Sequence, residues 1–130
     1  MELLVGIRRM QHAIQTPVGD PAFRPAVSRA VEQLKVAFAE HVEVTEGPAG
    51  LYAEVLGDAP RLAPHLDDLV GDHRSVWTAL DELEGRLSHR DPAEAVRWQA
   101  DRLIREVWQH RQRGADLLHE AYETDLGGET

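Results

Sequence analysis

Residues 91–125, DPAEAVRWQADRLIREVWQHRQRGADLLHEAYETD, read as one long helix with a histidine set among its apolar residues. Leu103, Val107, His110, Gly114, Leu117 and Ala121 recur at spacings of three and four, which places them on one helical face. Asp91 suits an N-cap, Pro92 the first helical position, and Glu94 completes a pattern like a capping box. Gly127 and Gly128 close the segment.

The same periodicity recurs upstream. A first helix is expected from Leu3 to Gln15, with Leu3, Ile7, Met10 and Ile14 on one face and Pro17 beyond its end. A second runs from about Pro25 to Glu46; Val27, Val31, Leu34, Phe38 and His41 form its stripe, and Thr45 extends it. Gly47 and Pro48 terminate it, proline because it lacks a donor and clashes with the preceding turn. LYAEVL at 51–56 reads as a short extra turn folding back under the bundle. A third helix starts between Pro60 and Pro64 and runs to Ser88, with the stripe Leu62, Leu66, Leu69, His73, Val76, Leu80, Leu83 and Leu87. No segment alternates with the period of a strand. Long helices and short connections predict an all-α, antiparallel up-down-up-down four-helix bundle occupying residues 1–130 as a single domain.

Composition narrows the chemistry. The chain has 130 residues and no cysteine, so disulfides, thiolate metal sites and cysteine nucleophiles are excluded. A net charge of -9 argues against nucleic acid as a partner. No run approaches the ~20 apolar residues of a membrane span, and MELLVGIRRMQHAIQ does not resemble a signal peptide, so a cytoplasmic location is expected. EGPAG at 46–50 follows a helix and lacks a phosphate-binding lysine, so it is a turn. Asp67, Asp68, Glu120 and Glu123 fall on polar helix faces. Trp77, Trp98 and Trp108 are expected to fill the core or its grooves, an exposed one marking a dimer face or a protein partner.

Seven histidines remain to be sorted. His89 lies in a loop, His119 opposite His110, and His65 beside the third stripe. His12 sits half a turn from the apolar face of the first helix, so periodicity places it in solvent. His41, His73 and His110 each occupy a stripe, on three different helices. A buried imidazole with an unmet donor or acceptor costs roughly 1–3 kcal/mol, and three would consume much of the about 5–15 kcal/mol that stabilises a domain. They need partners: a metal ion, waters, or polar side chains such as Thr45. Imidazole is the commonest metal ligand and bundle cores commonly house metals, so metal binding is the leading reading and a structural polar cluster the alternative.

FAEHVEVTEGPAGLYAEVL, LVGDHRSVWTALDEL and VWQHRQRGADLLHEAY resemble the second, third and fourth helices of the hemerythrin-like (HHE) bundles. The resemblance covers nearly the whole chain and implies a hemerythrin-like fold with a non-haem metal. It places His41, His73 and His110 at ligand positions, with His12 the best match to the first-helix histidine. The family's carboxylate positions, four residues after the second- and fourth-helix histidines, hold Thr45 and Gly114. Glu46, five residues after His41, can partly substitute; Asp116 points away.

Two ferrous ions bring four positive charges into a low-dielectric core, which one inward Glu46 does not balance. One divalent ion on His41, His73, His110 and Glu46 is expected instead, zinc or mononuclear non-haem iron. The implied role is binding or sensing of the metal or of a small molecule (oxygen, nitric oxide, peroxide) rather than turnover. The alternatives are a metal-free interaction module and a peroxide-consuming iron enzyme.

Overall fold

Burial follows the apolar stripes. The computed structural model describes residues 2–124. It contains α1 (Leu3–Ala13), α2 (Phe23–Glu46), α3 (Leu51–Asp58), α4 (Ala63–Ser88) and α5 (Ala93–Leu118). A 3₁₀ turn (Pro60–Leu62) leads into α4, and a π-helical segment (His119–Thr124) continues α5. No strand occurs among the described residues. Helices α1, α2, α4 and α5 form the expected bundle: α1 packs on α2, α4 on α5, and α2 on α4. No described helix is long and apolar enough to cross a membrane.

The interior has two parts. The larger joins Ile7 and Met10 of α1, Val27, Val31, Leu34 and Phe38 of α2, Val76, Leu80 and Leu83 of α4, and Val96, Leu103 and Val107 of α5. The smaller lies under α3, where Tyr52 and Val55 meet Leu62, Leu66, Leu69, Leu117 and Ala121. Neither contains a histidine; the imidazoles sit at the seam between them. Gln99 is also buried, accepting from Arg86 Nε at 3.3 Å and donating to Glu82 at 3.2 Å. Trp77 and Trp108 pack against the larger core, while Trp98 is 57 % exposed beneath the Arg102 guanidinium.

Two local expectations change. Asp91 does not cap α5: its carboxylate accepts from Arg86 at 3.3 Å and its carbonyl accepts from Arg24. Pro92 takes the cap position instead, with extended backbone, and its carbonyl accepts the first bonds of α5 from Ala95 (2.9 Å) and Val96 (3.1 Å). An inter-helix arginine thus outcompetes a local cap for Asp91. Gly127 and Gly128 lie outside the described residues.

The turn from α2 into α3 positions the site. A Cβ at Gly47 would stand 2.7 Å from the Glu43 carbonyl oxygen, and one at Gly50 would stand 2.7 Å from that of Val44. Only glycine therefore lets the chain fold back tightly enough to bring Tyr52 under the end of α2. Gly6 works differently, as a point of close helix approach: a Cβ there would reach Leu34 Cδ1 at 3.1 Å and Ala37 Cβ at 3.4 Å. Overpacking of such a contact costs about 1–3 kcal/mol. Gly6→Leu should lower the urea unfolding midpoint accordingly without changing the slope of the transition; an unchanged midpoint would show that α1 is not held by this contact.

Candidate metal centre

Each imidazole arrives from a different helix because each occupies a stripe position. His41 comes from the last turns of α2, His73 from the middle of α4 and His110 from α5. His73 and His110 are each 2 % exposed, and His41 is half-buried. One ligand atom from each of the three lies within 4.8 Å of the others, a group that can hold one ion. His110 Nε2 is 2.9 Å from His41 Nε2 and 3.1 Å from His73 Nε2. Phe38 meets His73 edge-on at 5.5 Å, and Tyr52 stacks on His73 at 5.8 Å.

The outward nitrogens meet carboxylates. His73 Nδ1 contacts Glu46 Oε2, and His110 Nδ1 lies 3.1 Å from Asp72 Oδ2. Asp72 also accepts from Arg113 through its other oxygen. An ionised carboxylate only accepts, so both Nδ1 atoms must carry the proton. In the neutral rings, Nε2 of His73 and of His110 then presents a lone pair, and these face each other at 3.1 Å with no hydrogen to share. Two acceptors held that close repel each other, and a cation between them relieves the repulsion.

Burial favours the neutral form of His41 and His110. Burial, reinforced by His110, His73 and Arg111, lowers His41 from 6.5 to about 4. Burial also lowers His110, outweighing the hydrogen bond that its Nδ1–H donates to Asp72. Tyr52 stays a phenol, pushed up to about 12 by burial, and its hydroxyl points to His73 Nε2 at 3.4 Å.

The sequence-based candidates divide on this geometry. His41, His73 and His110 come together. Glu46 reaches the site but on the far nitrogen of His73, so it orients the ring and does not face the point of convergence. His12 does not join. It is exposed in a groove with Arg8, Arg9 and Arg29. Arg29 precedes His41 by twelve residues on α2, about 18 Å along the axis at 1.5 Å per residue. Periodicity placed His12 correctly; the match to the first-helix histidine did not. Thr45 is no imidazole partner, since its hydroxyl donates to the His41 carbonyl at 2.8 Å. Asp72 was missed, although an acid adjoining His73, with Arg113 three residues after His110, was its signal. His65, His89 and His119 are exposed, and His89 bonds the Gly85 carbonyl at 2.7 Å.

Where Thr45 and Gly114 stand, the wall opens. A Cβ at Gly114 would meet nothing within 4 Å, although glycine in a helix interior costs about 1 kcal/mol relative to alanine. A cavity of about 230 Å³ runs from His41 and His110 past Thr45 and Gly114, walled by Leu51, Tyr52, Leu117 and Leu118.

The sequence model of the hemerythrin HHE cation binding domain matches residues 2–121. The chain belongs to this family. No curated protein and no solved structure matches it. Membership makes it a cation-binding-domain protein, and the three-histidine group lies within the matched segment. Among the described residues, carboxylates of this HHE chain meet the outer nitrogens of His73 and His110, and the three-histidine group includes no carboxylate.

The lowered imidazoles fix a pH dependence. A ring with a folded pKa below its unfolded 6.5 leaves the unfolded chain holding more protons between those values, so stability rises with pH there. With chelator present, the urea midpoint of this HHE domain should hold above pH 6.5 and fall as pH drops from 6.5 towards 4. His41→Leu should flatten that fall; an unaltered slope would remove His41 as its source.

Proposed function

We propose that this HHE domain binds one divalent metal ion through Nε2 of His41, His73 and His110. The observation that carries the reading is the pair of carboxylates on the outward nitrogens. Glu46 and Asp72 hold the Nδ1 protons, and the Nε2 lone pairs turn to one point. Metal-ligating histidines commonly donate their second N–H to a carboxylate, which fixes ring and tautomer and raises ligand basicity.

The donor set fits one ion. Metal–nitrogen bonds of about 2.0–2.1 Å put neighbouring ligand nitrogens about 2.8–3.4 Å apart in right-angled to tetrahedral geometry, which brackets the 2.9 and 3.1 Å separations. Charge fits too. Glu46 and Asp72, the latter shared with Arg113, offset most of the charge of one divalent ion, whereas two ions would leave several positive charges unbalanced beside a hydrophobic core. Three neutral imidazoles suit zinc or mononuclear non-haem iron.

When bound, the ion supplies a Lewis-acidic centre whose remaining positions a small molecule such as oxygen, nitric oxide or peroxide can reach. The chain does the rest. Phe38 and Tyr52 exclude water from His73, Arg113 orients Asp72, and the cavity beside Gly114 gives access. With three ligands, and with the Tyr52 phenol pushed up to about 12 as the nearest hydroxyl, binding or sensing is favoured over turnover.

Elemental analysis of protein purified without an affinity tag should find about one metal ion per chain, and His73→Leu should abolish it. Protein that neither holds nor takes up iron, zinc or manganese would refute the reading. Asp72→Asn keeps the shape but frees the tautomer. It should weaken metal affinity roughly 10–100-fold, measured by competition with a chromogenic chelator.

A further inference from the structure

The cavity beside the three histidines has an unusual combination of walls. Its inner end is formed by His41 and His110, two of the converging rings. Leu51, Leu117 and Leu118 make its sides apolar. Arg111 lines it as well; its guanidinium is stacked over Trp108 at 5.2 Å, outside the lining, and its positive charge acts on His41 at the cavity's end. Gly114 leaves the space open where any larger residue would project into it. A volume of about 230 Å³ is far more than the about 10–15 Å³ that a single water requires.

We propose that this cavity takes a short straight-chain monocarboxylate, with its carboxylate group towards His41, His110 and Arg111 and its alkyl chain among Leu51, Leu117 and Leu118. This inference rests on the metal reading above and names the ligand class of the same site. An anion suits the inner end because Glu46 and Asp72, the latter shared with Arg113, do not fully cancel a divalent ion on three neutral imidazoles, and the Arg111 charge acts on His41 as well. A carboxylate head with a hydrocarbon tail matches an environment that is cationic at one end and aliphatic along its sides. Glu46 and Asp72 lie on the far side of their rings and do not occupy the cavity. The protein side chain absent at Gly114 is thereby replaced by a carboxylate from solution.

Cobalt(II) gives the test a readout independent of activity, because its visible absorption changes when a ligand is added. Cobalt-loaded protein is titrated with acetate, propionate, butyrate and hexanoate at fixed ionic strength, with chloride and butanol as controls. The expected result is a saturable spectral change with the carboxylates alone. Each added methylene should tighten binding roughly fourfold until the cavity is filled. Gly114→Leu should bind cobalt in the same stoichiometry yet lose the response. Gly114→Glu should show the carboxylate-bound spectrum with nothing added. Arg111→Gln should weaken carboxylate binding roughly tenfold. Cobalt-loaded protein that gives no saturable change, or a Gly114→Leu response equal to that of the unaltered chain, overturns the proposal. Protein that takes up no cobalt at all refutes the metal reading instead, before any carboxylate is added.

Discussion

Hydrogen bonds from Nδ1 of His73 to Glu46 and from Nδ1 of His110 to Asp72 control what the interior of this bundle can do. A neutral imidazole has one donor and one acceptor, and the partner of one nitrogen decides the state of the other. Because both partners are carboxylates, both inward nitrogens are acceptors. The 3.1 Å approach of His73 to His110 is then a repulsion held in place by packing, chiefly by Phe38 and Tyr52 against His73. A cation turns that repulsion into coordination. Burial leaves His41 and His110 weakly basic.

Placement of the carboxylates separates two tasks that a ligating glutamate would combine. For a bound cation, charge compensation would come from Glu46 and Asp72 at the rim, where both remain partly open to water: their side chains are 31 % and 17 % exposed. Desolvation of a charged group is costly deep in a protein and modest near its surface. Donor atoms at the centre are neutral nitrogens, which tolerate burial. The arrangement therefore admits one divalent ion without burying a carboxylate beside the larger hydrophobic core. Thr45 and Gly114 follow the same logic, since the first satisfies its hydroxyl on its own helix backbone and the second leaves space.

The seam between the two cores is what makes such a site mechanically feasible. Above it α1, α2, α4 and α5 interdigitate with aliphatic side chains. Below it α3 forms a separate apolar unit with the ends of α4 and α5, held also by Tyr122 donating to Asp58 at 3.1 Å. Polar rings at the junction displace neither core. The tight glycine turn at 47–50 sets the height at which α3 closes the site, and with it the size of the cavity that Leu51 and Tyr52 wall.

Much of this was legible in the chain. Spacings of three and four set the bundle, and placed His41, His73 and His110 inward and His12 outward, because helical periodicity fixes the direction of a side chain relative to its own axis. The turn glycines and the missing carboxylates at Thr45 and Gly114 could likewise be read directly. Roles that depend on two helices at once could not. Glu46, expected beside the metal, contacts the outer nitrogen of His73, Asp72 contacts that of His110, and Asp91 bonds an arginine rather than capping its helix. Each outcome turns on the rotation and separation of neighbouring helices, which decide which nitrogen of a ring meets which oxygen. The sequence by itself determined the bundle, the three inward imidazoles and the gap beside Gly114. Only tertiary packing decided that carboxylates would take the outer nitrogens, since tautomer and lone-pair direction are properties of contacts between helices and not of any one of them.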